Sequence, residues 1–143
     1  MGRSKHHTAW AGALAVAAEL SRRGYDATLT LGNTPGLDLL CASPSGKPFK
    51  VQVKSLTAGS GVLIGERLLE QEAQADLFFA VVIVPACETD PMEFRIMTHQ
   101  EVLKHWMEMP KVKPDGQPYK PFKPGLTWGV VKPYSGGWEK LPK

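Results

Sequence analysis

Three polar side chains, Asp38, Gln52 and Lys54, lie within two runs that otherwise look like buried strands, "LDLLCA" and "FKVQVKSL". A carboxylate and an amide carbonyl supply the hard oxygen ligands that Mg²⁺ prefers, with room left for water and substrate. A bound divalent ion polarises a phosphoryl oxygen, and a nearby ammonium can orient water or stabilise developing charge. These residue types therefore suit metal-assisted cleavage of a phosphodiester, provided that the fold brings them together.

The segment between the two runs, "SPSGK", is rich in turn-forming residues and predicts an antiparallel hairpin. With the turn centred on Ser45, Asp38 lies directly across from Gln52. Because side chains alternate along a strand, Gln52 and Lys54 share one face. The hairpin therefore gathers the three polar side chains into one patch, and a one-residue slip would separate them.

The elements before the hairpin are a helix and a strand. The helix is expected over Thr8–Arg23, where strong helix formers are followed by Gly24. The next run, "YDATLTL", alternates apolar and polar residues as a half-exposed strand does, and "GNTPG" then turns the chain. The predicted apolar stripe of the helix consists of Trp10, Ala13, Leu14, Ala17 and Leu20.

After the hairpin, the sequence predicts an exposed short helix over Glu66–Ala75 and then a strand in "DLFFAVVIVP" that is covered on both faces. A further strand is expected in "EFRIMT". Thr98 and Glu101 have the spacing of a capping box before a helix that ends near Met109. "LTWGVV" suggests an edge strand, and Trp138 is expected to anchor the tail. The fold class is α/β: a mixed sheet with an antiparallel hairpin, sandwiched between helices.

Length and charge set limits on the partners. The 143 residues suit a single domain, 1–143, with a core over about residues 8–109 and a basic, proline-rich C-terminal extension over 110–143. Seventeen basic and fourteen acidic side chains give a net charge of +3, which permits a polyanionic partner without requiring one. The apolar run "FFAVVIV" is too short to span a bilayer, so no membrane partner is expected.

The two cysteines, Cys41 and Cys87, lie beside apolar runs without the spacing of a metal site. We expect two buried thiols in a reducing, cytoplasmic compartment, and no zinc site.

The order helix, strand, "GLDLL", turn and "VQVKS" resembles the core of the PD-(D/E)XK nuclease superfamily, which has the restriction-endonuclease-like fold. The resemblance covers roughly Thr8–Val84. It implies that Asp38 is the metal-binding aspartate, Lys54 the catalytic lysine and Glu19 the carboxylate of the first helix. Gln52 departs from the pattern, because an acidic residue is usual at that position.

The resemblance implies a Mg²⁺- or Mn²⁺-dependent DNA endonuclease of homing, junction-resolving or defence type. The metal ligands would be Asp38, Gln52 and the backbone carbonyl of Val53, with Glu19 binding through water. Lys54, beside two carboxylates, would stay protonated and act on the water or on the transition state. The chain has little left for a separate sequence-reading domain, so specificity is expected to come from oligomerisation, from substrate shape or from a partner subunit, and the expected assembly is a dimer or higher homo-oligomer.

Further contacts to nucleic acid are predicted for hydroxyl and basic side chains near the patch and at the N-terminus. These residues are Ser55, Thr57, Lys50, Arg3 and Lys5.

Each of these residues also has an interpretation without catalysis. Asp38 could bond a turn backbone, Glu19 could pair with Arg22 or Arg23, and Lys54 could lie on an exposed strand face. The second hypothesis is therefore a catalytically inactive module of the same fold that binds nucleic acid or protein. In that case Gln52 marks the loss of metal affinity.

Overall fold

The structure is a computed structural model that describes residues 2–30, 37–119 and 124–143. Its helices and strands, in chain order, are α1 (Lys5–Arg22), β1 (Asp26–Thr30), β2 (Leu37–Ala42), β3 (Pro48–Leu56), β4 (Val62–Leu63), α2 (Glu66–Leu69), β5 (Leu77–Ile83), β6 (Glu93–Thr98), α3 (His99–Glu108), β7 (Gly125–Leu126) and α4 (Trp128–Val131). A single 3₁₀ turn, Trp138–Lys140, follows near the C-terminus. The predicted "GNTPG" turn lies outside the described residues.

The main sheet has five strands in the order β1-β2-β3-β5-β6. β1, β2 and β3 are antiparallel neighbours, β3 and β5 are parallel, and β5 and β6 are antiparallel. The short strands β4 and β7 form a separate antiparallel pair. The predicted α/β class with a mixed sheet and an antiparallel hairpin is therefore confirmed. Among the helices of the described ranges, none is long and apolar enough to cross a membrane.

The hairpin of β2 and β3 has the predicted register, with Asp38 opposite Gln52. Its turn is held by the backbone of Ser43, whose N–H donates to the Lys47 carbonyl at 2.9 Å, and by the Ser43 hydroxyl, which accepts from the Lys47 N–H at 3.0 Å. Gly46 adopts a φ of 87°, a left-handed conformation that glycine reaches without steric cost. The turn chemistry thus fixes the pairing on which the polar patch depends.

Helix α1 lies on one face of the sheet and buries Gly12, Ala13, Val16 and Leu20. The predicted stripe was wrong at Leu14, which is 51% exposed. The reason is that the helix turns its smallest residue, Gly12, to the sheet, where a Cβ atom would lie 1.9 Å from the Ser55 hydroxyl oxygen. Close approach of the two backbones therefore decides which face of the helix is buried.

Two apolar cores cover the two faces of the sheet. The first core, on the α1 side, comprises Ala13, Val16, Leu20, Tyr25, Leu39, Cys41, Phe49, Val51, Val53, Phe78, Ala80, Val82, Val84, Ile96 and Leu141. The second core, on the α3 side, comprises Leu56, Val62, Ile64, Leu69, Leu77, Phe79, Val81, Ile83, Met97, Val102, Leu126 and Val131. All seven residues of β5 are buried and alternate between the two cores, which confirms the predicted strand covered on both faces.

Helix α3 begins with the predicted capping box. The Thr98 hydroxyl accepts from the Glu101 N–H at 3.1 Å, and the Glu101 carboxylate accepts from the Thr98 N–H at 2.8 Å. Two backbone N–H groups at the start of the helix, which have no acceptor within the helix, are thereby satisfied, as the spacing of Thr98 and Glu101 predicts.

The chain after α3 contributes to both cores. The predicted edge strand "LTWGVV" is wrong: only Gly125–Leu126 is a strand, and Trp128–Val131 is helical. Leu126 and Val131 both enter the second core, whereas a strand would point residues five apart to opposite faces. Trp138 anchors the tail as expected, because its ring packs against Phe94 with 5.5 Å between centroids.

Two further expectations also require correction. The helix predicted over Glu66–Ala75 ends at Leu69, and the chain then continues without regular structure to β5. Cys41 is buried as expected, but Cys87 is exposed, since it lies in the loop beyond the end of β5.

Candidate functional site

Asp38 and Gln52 are paired across β2 and β3 on the face of the hairpin that points away from α1. Asp38 Oδ1 and Gln52 Oε1 are both buried, and neither has a hydrogen-bond partner among the described residues. Both atoms are acceptors, and a buried acceptor without a donor costs about 1–3 kcal/mol. Two such atoms on directly opposed residues mark a place prepared for a donor or a cation.

Lys54 follows Gln52 on the same face of β3. Burial lowers the pKa of the Lys54 ammonium below its usual value, while the Asp38 carboxylate acts in the opposite direction. The attraction of Asp38 that the sequence leads one to expect is thus the smaller effect on the Lys54 pKa, and desolvation is the larger one. Lys54 also has one carboxylate beside it, from Asp38, in place of the two that were expected.

These three side chains line a cleft with a volume of about 780 Å³. The sheet supplies its floor through Thr30, Asp38, Leu40, Lys50, Gln52 and Lys54. The opposite side is formed by Leu63, Ile64, Gly65, Arg67, Leu68, Gln71 and Gln74, which we call the cleft wall. Leu40 and Leu63 are 49% and 57% exposed and give the cleft an apolar rim.

The charges of the cleft favour an anionic ligand. The described part of its lining carries three cationic side chains, Lys50, Lys54 and Arg67, and one carboxylate, Asp38. A concave site with an excess of one sign of charge raises the local concentration of ligands of the opposite sign.

Glu19 does not join this cluster. It lies on α1, which packs on the opposite face of the sheet, against Leu39, Val51 and Val53. Its carboxylate accepts from Arg22 at 3.2 Å and from Arg23 at 3.1 Å. The helix-surface ion pair, which was the alternative interpretation of Glu19, is the arrangement found.

Val53 contributes its side chain to the first core and is paired with Leu37 on one side and Ala80 on the other. The carbonyl of a residue paired on both sides lies in the plane of the sheet. The backbone oxygen proposed as a ligand is therefore directed toward a neighbouring strand and away from the face that carries Asp38 and Gln52.

Of the five residues predicted to contact nucleic acid, Lys50 lines the cleft. Ser55 is turned toward Gly12 beneath α1, and Thr57 lies beyond β3 with its hydroxyl 3.2 Å from that of Ser60. The guanidinium of Arg3 donates to the carbonyls of Val84 and Pro85, and Lys5 is the exposed first residue of α1.

Sequence reasoning missed the cleft wall, including Arg67 and two glutamines, Gln71 and Gln74. A signal for it exists in the topology: parallel strands cannot be joined by a tight turn, so the chain between β3 and β5 must cross a face of the sheet. Because α1 covers the face of Val51 and Val53, that crossing must pass over the face of the polar patch.

The oxygen donors of the cleft suit a divalent ion in type but are few in number. Within the described ranges, no three His, Cys, Asp or Glu side chains converge on one point. Asp38 Oδ1 and Gln52 Oε1 nevertheless offer two hard oxygens that accept no hydrogen bond from the described residues, and Mg²⁺ commonly takes one or two protein oxygens and completes its shell with water and substrate. The residues present therefore fit a weakly held, largely hydrated Mg²⁺ or Mn²⁺.

Comparison with protein-family models, with curated proteins and with solved structures finds no match to this chain. Any functional assignment therefore depends on the geometry of the cleft.

Proposed function

We propose that this protein is a metal-dependent DNA endonuclease with the restriction-endonuclease-like fold. The observation that carries the proposal is the pair of buried oxygens of Asp38 and Gln52, which have no hydrogen-bond partner among the described residues, with Lys54 on the same face of the same hairpin. Such acceptors are costly to leave unsatisfied, and a hard divalent ion is a partner that would satisfy both at once.

The order of the elements supports the proposed fold. A helix precedes three antiparallel strands, and a crossover then leads to a strand parallel to the third. Asp38 lies near the start of the second strand, and Gln52 and Lys54 lie two residues apart on the third. This is the placement that the resemblance to PD-(D/E)XK nucleases implies for the aspartate and the lysine.

In this mechanism Asp38 and Gln52 would hold the ion, which when bound would polarise a phosphoryl oxygen and lower the pKa of bound water. Lys54, in its ammonium form, orients the water and stabilises charge on the phosphoryl group. Hydrolysis joins the water oxygen to phosphorus and breaks one phosphoester bond. The attacking water gives up one proton to solvent, and the departing oxygen takes up one proton from solvent. Lys50 and Arg67 bind neighbouring phosphates of the strand.

The biological setting belongs to the same proposal. Homing, junction resolution and defence all suit a small nuclease whose specificity comes from a second copy of the chain or from the shape of the DNA. Both cysteines are free thiols, which is compatible with a reducing, cytoplasmic location.

A second candidate is a binding module that has lost catalysis. One observation favours it: with Gln52 in place of an acidic residue and Glu19 on the other face, the cleft contains a single carboxylate. One negative charge holds a divalent ion more weakly than two or three. In this alternative the cationic cleft binds nucleic acid without cutting it.

An experiment that separates the two candidates incubates purified protein with linear, branched and single-stranded DNA, each with Mg²⁺, with Mn²⁺ and with a chelator. The nuclease hypothesis predicts cleavage that needs the metal and is absent from Lys54→Ala. DNA that is shifted in a gel but left intact under all metal conditions would establish the binding module. Arg22→Ala, on the opposite face of the sheet, is the matched control for removal of a cation.

A further inference from the structure

His99, the first residue of α3, is fully buried and connects α3 to the cleft wall. Its Nδ1 accepts from the backbone N–H of Gln74 at 3.0 Å, and its Nε2 lies 2.8 Å from the carbonyl oxygen of Leu68. Its ring also packs against Phe79 in the second core, with 5.9 Å between centroids. One imidazole therefore bridges two backbone positions of the wall, six residues apart.

The two partners determine the protonation state that this bridge requires. The N–H of Gln74 can only donate, so Nδ1 must carry a lone pair. The carbonyl of Leu68 can only accept, so Nε2 must carry the proton. His99 therefore acts as a neutral Nε2–H imidazole, and neither the other tautomer nor the imidazolium can make both bonds.

The segment that His99 fixes has little other regular structure. Helix α2 ends at Leu69, and the chain from there to β5 is irregular. A side-chain bond from Gln74 Nε2 to Gln71 Oε1, at 2.7 Å, joins two residues of the same segment. The bonds from His99 tie this irregular chain to the start of α3, which is itself held by the capping box of Thr98 and Glu101.

The wall carries a cationic group that faces the cleft. Arg67 lies one residue before Leu68, the acceptor of the His99 bond, and lines the cleft opposite Asp38 and Lys54. Its guanidinium has no ion-pair partner among the described residues. A guanidinium in this position can donate two parallel hydrogen bonds to two oxygens of one phosphate group.

We propose that the cleft wall is a phosphate-binding element in which Arg67 contacts the DNA backbone, and that His99 is the positioning residue that holds Arg67 in place. The phosphate-binding part rests on the proposed function, whereas the positioning of the wall by His99 does not. The substrate then lies between two sides of the cleft. The hairpin of β2 and β3 carries the reacting groups, and the cleft wall packs against the second core.

The positioning role is tested without DNA. Long-range ¹H–¹⁵N correlation of the imidazole is expected to show the Nε2–H tautomer for His99 in the wild-type protein, and hydrogen exchange is expected to show a protected Gln74 amide. In His99→Phe, which keeps the apolar contact but neither bond, that protection is lost while the amides of β5 remain protected. An Nδ1–H tautomer, or unchanged protection of Gln74, would overturn the proposal.

A second variant covers the case in which His99→Phe does not fold. His99→Asn places a carbonyl oxygen near the former Nδ1 position and cannot reach Leu68. Protection of the Gln74 amide is therefore expected to persist in His99→Asn, with faster exchange around Leu68. Equal loss at both positions would contradict the assignment of separate bonds.

The phosphate-binding role is tested by DNA affinity in the full-length protein. Arg67→Ala is expected to weaken binding on the order of tenfold and to reduce the slope of log K against log salt by about 1. His99→Phe should weaken binding to a similar extent, and the double variant should be no weaker than Arg67→Ala alone. Lys104→Ala, which removes an exposed cation from α3 outside the cleft, is the matched control.

The outcomes separate the two proposals. Losses that add in the double variant would contradict positioning of Arg67 by His99, because a residue that acts only through Arg67 has no effect once Arg67 is absent. A wild-type protein that neither binds nor cuts DNA would overturn the nuclease proposal and the phosphate-binding role together. The exchange experiment on Gln74 would still decide the role of His99.

Discussion

The two faces of the β2–β3 hairpin differ in how fully their side chains are satisfied. On the α1 side, Leu39, Val51 and Val53 are almost completely buried in the first core. On the other side, the same strands present Asp38 and Gln52 with buried oxygens that have no partner in the described chain. Because strand side chains alternate, one hairpin supplies a packed face and a chemically open face from interleaved residues.

The packed face of the hairpin supplies stability that compensates for the polar groups of the open face. A fully buried aliphatic side chain contributes roughly 1.5–3 kcal/mol, and each unsatisfied buried acceptor costs about 1–3 kcal/mol. The apolar residues of the first core therefore offset the cost of the polar patch. It follows that substitutions on one face should change stability and substitutions on the other should change activity.

The largest effect is expected on the open face. Asp38→Ala should reduce metal-dependent DNA cleavage on the order of 10³-fold or more, since it removes the one carboxylate of the cleft. Its free energy of unfolding should change by less than about 1 kcal/mol, or increase, because an unsatisfied acceptor is removed. Cleavage rates and denaturant unfolding measure the two quantities. A variant that is unfolded would refute the separation of the two faces.

The converse experiment changes Leu39, the neighbour of Asp38, whose side chain lies on the packed face. Leu39→Ala should lower the free energy of unfolding by about 2–5 kcal/mol, through lost burial and the cavity left behind. At a temperature where the variant is folded, its cleavage rate should match that of the wild type. A large loss of activity in fully folded Leu39→Ala would show that the two faces are coupled.

The contact between α1 and β3 also belongs to the packed face of the hairpin. Gly12→Ala places a Cβ atom against the Ser55 side chain and should cost about 1–3 kcal/mol of stability. The additional change Ser55→Gly should recover part of that loss, and a double-mutant cycle by denaturant unfolding measures the coupling. A stabilised Gly12→Ala protein would mean that helix propensity outweighs the clash and that the contact is looser than described.

The smallest effect concerns pH. Burial lowers the pKa of Lys54, and the proposed mechanism uses its charged form, so cleavage should decline as pH rises through that lowered pKa. Lys54→Arg keeps its charge and should shift the decline to higher pH, with a reduced maximum rate because the geometry differs. pH–rate profiles under saturating metal test this. Activity that rises over the same range would assign Lys54 as a general base.

The polar patch was predictable because its determinants are local. The turn residues between β2 and β3 set the register, and side-chain alternation then places Asp38, Gln52 and Lys54 together. The same alternation also indicates where Glu19 lies. An apolar helix must cover the apolar face of Val51 and Val53, and this is the face opposite Asp38. The role predicted for Glu19 came from the resemblance and not from the pattern of the strands.

The cleft wall was not predictable in detail because tertiary contacts determine it. Propensity favoured a helix over Glu66–Ala75, but bonds from His99 hold the chain beyond Leu69 in an irregular path. In the same way, Trp128–Val131 is helical because Leu126 and Val131 must both reach the second core. The composition of that segment is typical of a strand and does not indicate that both residues enter the second core.

Metal binding in the absence of DNA shows directly whether the oxygens of Asp38 and Gln52 form a metal site. Titration of Mn²⁺, followed by electron paramagnetic resonance or calorimetry, should show one weak site in the wild-type protein, none in Asp38→Asn, and a tighter site in Gln52→Glu, which restores a second negative charge. Gln52→Glu should correspondingly lower the metal concentration needed for cleavage. Wild-type affinity in both variants would show that the paired oxygens of Asp38 and Gln52 are not the metal site.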